Sequence, residues 1–408
     1  MSNRYIEILP SNISSTDDAG YSKGTPLIQF NIGSQDTYLI GSTLRLNGAF
    51  SRTGSGVTKS CIDPALGVYS IIDQLLISSN KTNQTIEHIR NYNRFLASYI
   101  PATTSENDLN GHMNMSSLSG LSYGSQSNNA TLEFSIPLPC GVLLGRNPIP
   151  LSDTWGIKGL NLTLNLAPDS NVFFALDDTD VSGVTYFLTD LKITAEVQQP
   201  PPDQLATLMR QTANSFEYNS ISSYYAVVNN NHATVNINLG LKRVLSVFCN
   251  FITASDINSY DANGMETLDI RQDNGTGATL TDVVFTKGGM RFPLDYDIVT
   301  VQRDNSNNDS ADGQIIRNFL NSVRPFSKLD RTLFSNITSS QLAKKSSSLY
   351  GVGVAYDTIS NQGVDFSADQ FAMVLQSLLN SNNPTAAFIF AHAKNTCLMS
   401  PQGIQVLS

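Results

Sequence analysis

The sequence predicts an all-β protein with a few short helices, folded as two sandwich or barrel domains in tandem. Three observations lead there. Short runs of alternating apolar and polar residues recur on both sides of the midpoint, the period of a half-buried strand. Three consecutive prolines, Pro200-Pro201-Pro202, interrupt the chain near that midpoint. Charged residues make up only 14% of the 408 residues, against about 25% in an average domain, and Asn, Ser, Thr and Gly fill the difference. With 40% hydrophobic residues the chain has enough apolar surface to offset the entropy of ordering. Its length suits two cores, because a single core rarely grows past about 250–300 residues.

The first domain is read over 1–198. Strands are expected at 27–32, 38–50 and 71–77. The clearest is 160–166, where Leu160, Leu162, Leu164 and Leu166 alternate strictly with Asn161, Thr163 and Asn165. Leu191, Ile193, Ala195 and Val197 repeat the pattern just before the prolines. A helical insert is expected at about 85–99, with Ile86, Ile89, Phe95, Leu96 and Tyr99 near one face and Pro101 as its stop.

The connector is read over 199–212. Its prolines fix φ and remove backbone donors, so no central strand can run through them. Asp203 reads as the N-cap of a short helix carrying Leu205, Leu208 and Met209.

The second domain is read over 213–408. Strands are expected at 224–228, 234–239, 244–253, 283–286, 298–302, 349–356, 373–379 and 386–393. A second helical insert is expected at about 312–323, with Ile315, Ile316, Phe319, Leu320 and Val323 on one face and Pro325 beyond. Ile28-Gln29-Phe30-Asn31-Ile32-Gly33 is echoed by Val235-Asn236-Ile237-Asn238-Leu239-Gly240, an offset of about half the chain, as a duplicated domain would give.

Signals of chemistry are sparse. The net charge is −9, and the longest basic clusters are the pairs Lys242-Arg243 and Lys344-Lys345. Phosphate backbones are held by clustered Lys and Arg, so no nucleic-acid-binding arm is expected. Cys61, Cys140, Cys249 and Cys397 are widely spaced, neither a zinc set nor a disulfide framework, and read as buried reduced thiols. No signal peptide is expected at Met1-Ser2-Asn3-Arg4-Tyr5, and no apolar run approaches a membrane span of about 18 residues. His88, His112, His232 and His392 lack metal-site spacing, and each reads as a structural histidine. Gly54-Ser55-Gly56 reads as a loop tip rather than a nucleophile elbow, and Lys287-Gly288-Gly289 as a turn rather than a phosphate loop. Asp177-Asp178-Thr179-Asp180 and Asp295-Tyr296-Asp297 read as solvated turns, although paired carboxylates on one strand face can bind calcium. A lone tryptophan, Trp155, is a weak signal for sugar stacking and reads as core. No catalytic, cofactor-binding or metal-binding residue is therefore assigned.

Several stretches resemble one family. The run Asn236-Ile237-Asn238-Leu239-Gly240-Leu241-Lys242-Arg243-Val244-Leu245-Ser246-Val247-Phe248 resembles the opening of the second jelly roll in major capsid proteins of polinton-like viruses and virophages. Gly288-Gly289-Met290-Arg291-Phe292-Pro293-Leu294-Asp295-Tyr296, Gly351-Val352-Gly353-Val354-Ala355-Tyr356-Asp357 and Gln362-Gly363-Val364-Asp365-Phe366 are similar too. In the first half, so are Tyr38-Leu39-Ile40-Gly41-Ser42-Thr43-Leu44-Arg45-Leu46-Asn47-Gly48 and Tyr92-Asn93-Arg94. The resemblance implies two eight-stranded jelly rolls in tandem. It implies homotrimeric, pseudo-hexagonal capsomers tiling an icosahedral shell around a double-stranded DNA genome. The partners it implies are neighbouring capsomers, penton proteins and minor capsid proteins. The location it implies is the virion, after folding in the host cytoplasm or a viral factory, with no cofactor and no enzymatic activity. Two other readings remain open: a two-domain β-sandwich that binds glycans or acts in attachment, and a jelly-roll hydrolase using a carboxylate such as Asp295.

Overall fold

The structure, a computed structural model, describes residues 3–12, 20–63, 66–103, 131–145, 147–175, 180–211, 213–229, 232–265, 267–268, 280, 282–292, 298–299, 313–323, 351–356, 362–376, 385–400 and 403–408. The chain forms two compact units. Unit 1 is Met1–Asn93, Glu106–Ile221 and Asn395–Ser408; unit 2 is Arg94–Ser105 and Ser222–Lys394.

The strands of the first half are β1 (Asn3–Ile8), β2 (Leu27–Ile32), β3 (Tyr38–Thr53), β4 (Ser60–Cys61), β5 (Ile72–Ser79), β6 (Thr85–Arg90), β7 (Leu132–Pro137), β8 (Ile149–Pro150), β9 (Leu160–Leu166), β10 (Phe174–Ala175) and β11 (Thr185–Gln198). Helix α1 (Tyr92–Thr103) follows β6, and α2 (Gly141–Leu144) and α3 (Asp169–Val172) are single turns. Helix α4 (Pro202–Leu208) lies in the connector. One sheet has the order β1-β11-β3-β7, with β8 also on β3; the other has the order β2-β9-β5-β6. In β11, Tyr186, Leu188, Leu191, Ile193, Ala195 and Val197 are buried, and a register shift between Thr189 and Lys192 keeps the apolar face inward.

The second half holds β12 (Asn214–Val228), β13 (His232–Ile237), β14 (Val244–Thr253), β15 (Asp282–Lys287), β16 (Met290–Arg291), β17 (Ile298–Val299), β18 (Val352–Ala355), β19 (Phe371–Gln376), β20 (Thr385–Ser400) and β21 (Gly403–Leu407), with helix α5 (Gly313–Val323) before β18. Its sheets have the orders β12-β20-β14-β18 and β13-β19-β15-β16; β21 adds to β20 and β17 to β15. The core of unit 2 lies between them. Val247 and Phe251 of β14, Val354 of β18 and Ile389 of β20 pack with Val235 of β13, Phe285 of β15 and Leu375 of β19.

The other face of β14 and β20 is also covered. Phe248, Asn250, Phe390 and His392 point away from the inter-sheet core and meet α1 and α5. Phe95 of α1 lies 5.6 Å from Phe390 and 6.2 Å from Phe248, and Phe319 of α5 lies 6.0 Å from Phe248. Asn250 Nδ2 donates to the Arg94 carbonyl at 3.0 Å and to Ser98 Oγ at 2.9 Å. These strands therefore read as continuous apolar runs because both faces are buried. Gly351 and Gly353 let α5 approach β18: a Cβ at Gly353 would stand 1.8 Å from Ser322 Oγ, and one at Gly351 would stand 2.4 Å from a Phe319 ring carbon.

Several expectations are corrected. The helix expected at 85–99 is a strand followed by a helix. Thr85–Arg90 pairs with β5, Asn91 turns the chain at φ +52, and the helix then runs past Pro101 to Thr103. Ile86 and Ile89 have helical spacing, but both are buried on a strand. Asn is among the few residues that adopt a left-handed backbone readily, which allows the abrupt break. Helix α4 begins at Pro202 and ends at Leu208, so Asp203 sits in its first turn and is not the N-cap. Proline suits the first helical position because that N–H has no partner in a helix. Thr163, expected on a polar face of β9, is buried, while Asn161 and Asn165 are half-buried. The helix expected at 312–323 is α5, described from Gly313.

Candidate functional site

The residues singled out by sequence do not converge. His88 lies on β6, with its Nε2 3.2 Å from Gln74 Oε1; burial, then Arg90, pushes its pKa down. His232 opens β13 and is exposed. His392 is fully buried on β20, its ring stacked on Phe248 at 5.6 Å, and burial pushes its pKa down to about 3. Trp155 is buried against Tyr38, ring centroids 4.9 Å apart. Gly54-Ser55-Gly56 is a turn in which Gly54 (φ +118) and Gly56 (φ +81) have left-handed backbones. Gly288 (φ +57) and Gly289 (φ +82) form the two-residue turn of the β15–β16 hairpin, which explains the glycine pair. Lys287 pairs with Asp369 at 3.0 Å rather than facing a phosphate-sized site. Asp180 accepts a hydrogen bond from the Ser182 N–H at 2.8 Å in a solvated turn. Cys61, Cys140, Cys249 and Cys397 are buried thiols outside any disulfide. His112, Asp177, Asp178, Asp295, Asp297 and Lys344-Lys345 lie outside the described residues. Among the described residues no group of three or more His, Cys, Asp or Glu is arranged to hold a metal ion, and no helix is long and apolar enough to cross a membrane.

The most constrained polar cluster was not marked by any motif. Glu87 of β6 is buried in unit 1. Its Oε1 accepts hydrogen bonds from the Gly141 N–H at 3.1 Å and the Ile221 N–H at 2.9 Å, and its Oε2 accepts one from the Val142 N–H at 2.8 Å. One carboxylate thus ties β6 to the start of α2 and to the first half of β12. The Tyr218 hydroxyl adds a bond to the Ile86 carbonyl at 2.6 Å. Gly141 makes the approach possible: a Cβ there would stand 1.3 Å from the Asn219 carbonyl oxygen. Desolvation raises the Glu87 pKa to about 7, more than the backbone and Cys140 hydrogen bonds lower it.

On the surface of unit 1, a cleft of about 470 Å³ borders the connector, lined in part by Tyr38, Pro150, Gln198, Gln204, Phe216 and Glu217. Large apolar side chains are exposed on strands and hairpins: Tyr5 at 77% in unit 1 and Met290 at 73% and Tyr225 at 52% in unit 2.

The strand orders settle the architecture. Numbering the eight main strands of each half in chain order, both halves have one sheet in the order first-eighth-third-sixth and another in the order second-seventh-fourth-fifth. Two Greek keys folded together produce this order. The fold is a double jelly roll. The echo between 28–33 and 235–240 falls on β2 and β13 and the residues just after them; these are the second strands of their jelly rolls, with matching buried and exposed positions.

Solved structures share this double jelly roll. VP54 of PBCV-1, fitted into a cryo-EM reconstruction of the virophage Sputnik, matches with TM-score 0.60 and 11% identity over 100% of this chain and 96% of that one. The Faustovirus major capsid protein matches with TM-score 0.62 and 10% identity over 98% and 90%. The cryo-EM structure of the Sputnik virophage matches with TM-score 0.52 and 12% identity over 99% and 88%. At such identities the likeness is one of fold. No protein-family model matches the sequence, and no curated protein sequence does.

Proposed function

We propose that this double jelly roll is a viral major capsid protein. The first jelly roll is drawn mainly from 1–198 and the second from 213–408. The observation that carries the reading is the fold match to the Faustovirus major capsid protein, which spans 98% of this chain. In this reading three copies associate, and their two jelly rolls apiece make the six lobes of a pseudo-hexagonal capsomer. Capsomers tile an icosahedral shell around a double-stranded DNA genome, with penton and minor capsid proteins completing it. The protein folds in the host cytoplasm or a viral factory and ends in the virion. It acts by assembly, not by catalysis.

Composition supports the assembly role. With charged residues at 14%, subunits can meet over large areas while few charges are desolvated. Closed rotational symmetry satisfies two unlike subunit faces without leaving an open fibre.

Light scattering coupled to size exclusion tests this directly. A trimer of 44.3 kDa chains gives a particle of about 133 kDa. Negative-stain images should show a three-fold axis and six lobes. A monodisperse monomer at micromolar concentration would overturn the assembly reading. Saturable binding of that monomer on a glycan array would move the assignment to an attachment protein.

A further inference from the structure

We infer that one end of unit 2 is a phosphate-facing surface, which holds double-stranded DNA by its backbone without reading its sequence. The partner rests on the capsid reading: a shell of such chains would turn this end towards the genome it encloses.

The cations come from three segments that the fold gathers. Ile237 at the end of β13 and Lys287 at the end of β15 both pair with Phe371 at the start of β19. The loop after β13, which carries Lys242 and Arg243, and the Gly288-Gly289 turn after β15 therefore share one end of the sheet. Residues 364–370 lie across that end. Val364 exchanges backbone hydrogen bonds with Val244 at 2.9 Å, the Phe366 N–H donates to the Leu241 carbonyl at 2.8 Å, and the Gly288 N–H donates to the Gln370 carbonyl at 2.9 Å. On the other sheet, Arg243 Nε donates to the Lys394 carbonyl at 3.1 Å, which brings Lys394 of β20 to the same place. Arg291 stands one rung behind the turn, opposite Thr286.

Charge at this end runs against that of the chain, whose net charge is −9. Lys287 is matched by Asp369 at 3.0 Å. Asp365 lies within electrostatic reach of Lys287 and Lys242. Among the described residues, that leaves Lys242, Arg243, Arg291 and Lys394 against Asp365, a surplus of three positive charges. Gathering like charges costs repulsion in the free chain, and a polyanion relieves it. Lys242 is exposed and the other three are half-buried, so they have less side-chain entropy to lose when a phosphate engages them. Gly240 and Gly289 have nothing within 4 Å of where a Cβ would stand, so the backbone of both turns is open to close approach. Duplex DNA presents one negative charge per about 1.7 Å of its axis, together with condensed counterions that the cations would release. Phosphate contacts position a duplex and carry no sequence information. The sequence hides this surface because its cations lie far apart along the chain.

Fluorescence anisotropy of a labelled duplex of about 12 base pairs, titrated with the full chain, tests the inference. With about three phosphates neutralised, log affinity should fall against log salt with a slope near −3, a loss of about 40-fold from 50 mM to 200 mM potassium chloride. Duplexes of different sequence should bind alike. Lys242→Gln should flatten the slope by about one unit, and Lys242→Arg should restore it. Lys192→Gln, in unit 1, removes a cation paired with Glu7 and should leave the slope unchanged. Lys242 is exposed, so its replacement leaves the packing intact. No binding at about 100 µM chain in 50 mM salt would overturn the inference. So would a slope unaltered by Lys242→Gln. Tighter binding to phosphatidylserine vesicles than to the duplex, abolished by Met290→Ser, would also overturn it and give the surface to lipid. The capsid reading is tested separately: a trimer that ignores the duplex sinks this inference alone, and a monomer that binds it sinks the assembly alone.

Discussion

Two buried titratable side chains are held by different means. Glu87 is met by three backbone N–H groups that favour its carboxylate. His392 lies among rings, and burial pushes its pKa down to about 3. An unfolded histidine takes up its proton near pH 6.5, but the folded one resists until about pH 3. The unfolded state therefore binds the extra proton in that window, and stability falls as the solution is acidified from 6.5 towards 3. The loss reaches on the order of 5 kcal/mol at the acid end. His392→Phe places an uncharged ring in the cluster of Phe95, Phe248 and Phe390. The expected result is that wild type loses several kcal/mol relative to this variant between pH 7 and pH 4, measured by denaturant unfolding. Equal losses in the two proteins would refute the assignment. Only part of this was legible in the sequence. An apolar run around His392 announces a buried structural histidine. Nothing in the sequence announces Glu87, because its three donors lie 54, 55 and 134 residues away and are main-chain groups with no side-chain signature.

At the scale of elements, the apolar pattern marks most main strands of both halves, β14 and β20 with two buried faces among them, and misses strands whose apolar face is thin or exposed. Most of β12 was missed because Ser215, Asn219, Ser220 and Ser222 dilute its apolar face, although Phe216, Tyr218 and Ser220 are buried in strand alternation. Edge strand β1 was missed because its residues are mostly exposed. Helix α1 was placed too early in the chain, and its partner was invisible. It is covalently part of the first half, yet from Arg94 it belongs to unit 2, and all of its described side chains are buried. A helix buried all round has no polar stripe to fix its phase in sequence. This membership makes a prediction. Phe95→Ala removes a ring that touches Phe248 and Phe390, at a cost of about 3–5 kcal/mol. Hydrogen exchange should quicken in β14 and β20 of unit 2 and stay unchanged in β5 and β9 of unit 1. Equal loosening of both sets would refute the membership of α1 in unit 2.

At the scale of the whole molecule, composition and topology point the same way. The double jelly roll spends few charges on its surface and carries a net charge of −9 with no long basic cluster. Two consequences follow for the proposed trimer. Contacts made of neutral Asn, Ser, Thr and apolar groups are little affected by ionic screening, whereas contacts built from exposed ion pairs weaken as salt rises. Like-charged subunits with net charge −9 also repel, and salt relieves that repulsion. Raising sodium chloride from 50 mM to 500 mM, about 14 Å of Debye length collapsing towards 4 Å, should therefore leave the trimer dissociation constant unchanged or lower it. Sedimentation velocity across a dilution series at the two salt concentrations reads this out. A trimer that falls apart in 500 mM salt would require ion pairs at its interfaces, and with so few charged residues those pairs would have to involve particular Lys, Arg, Asp and Glu side chains open to identification by substitution.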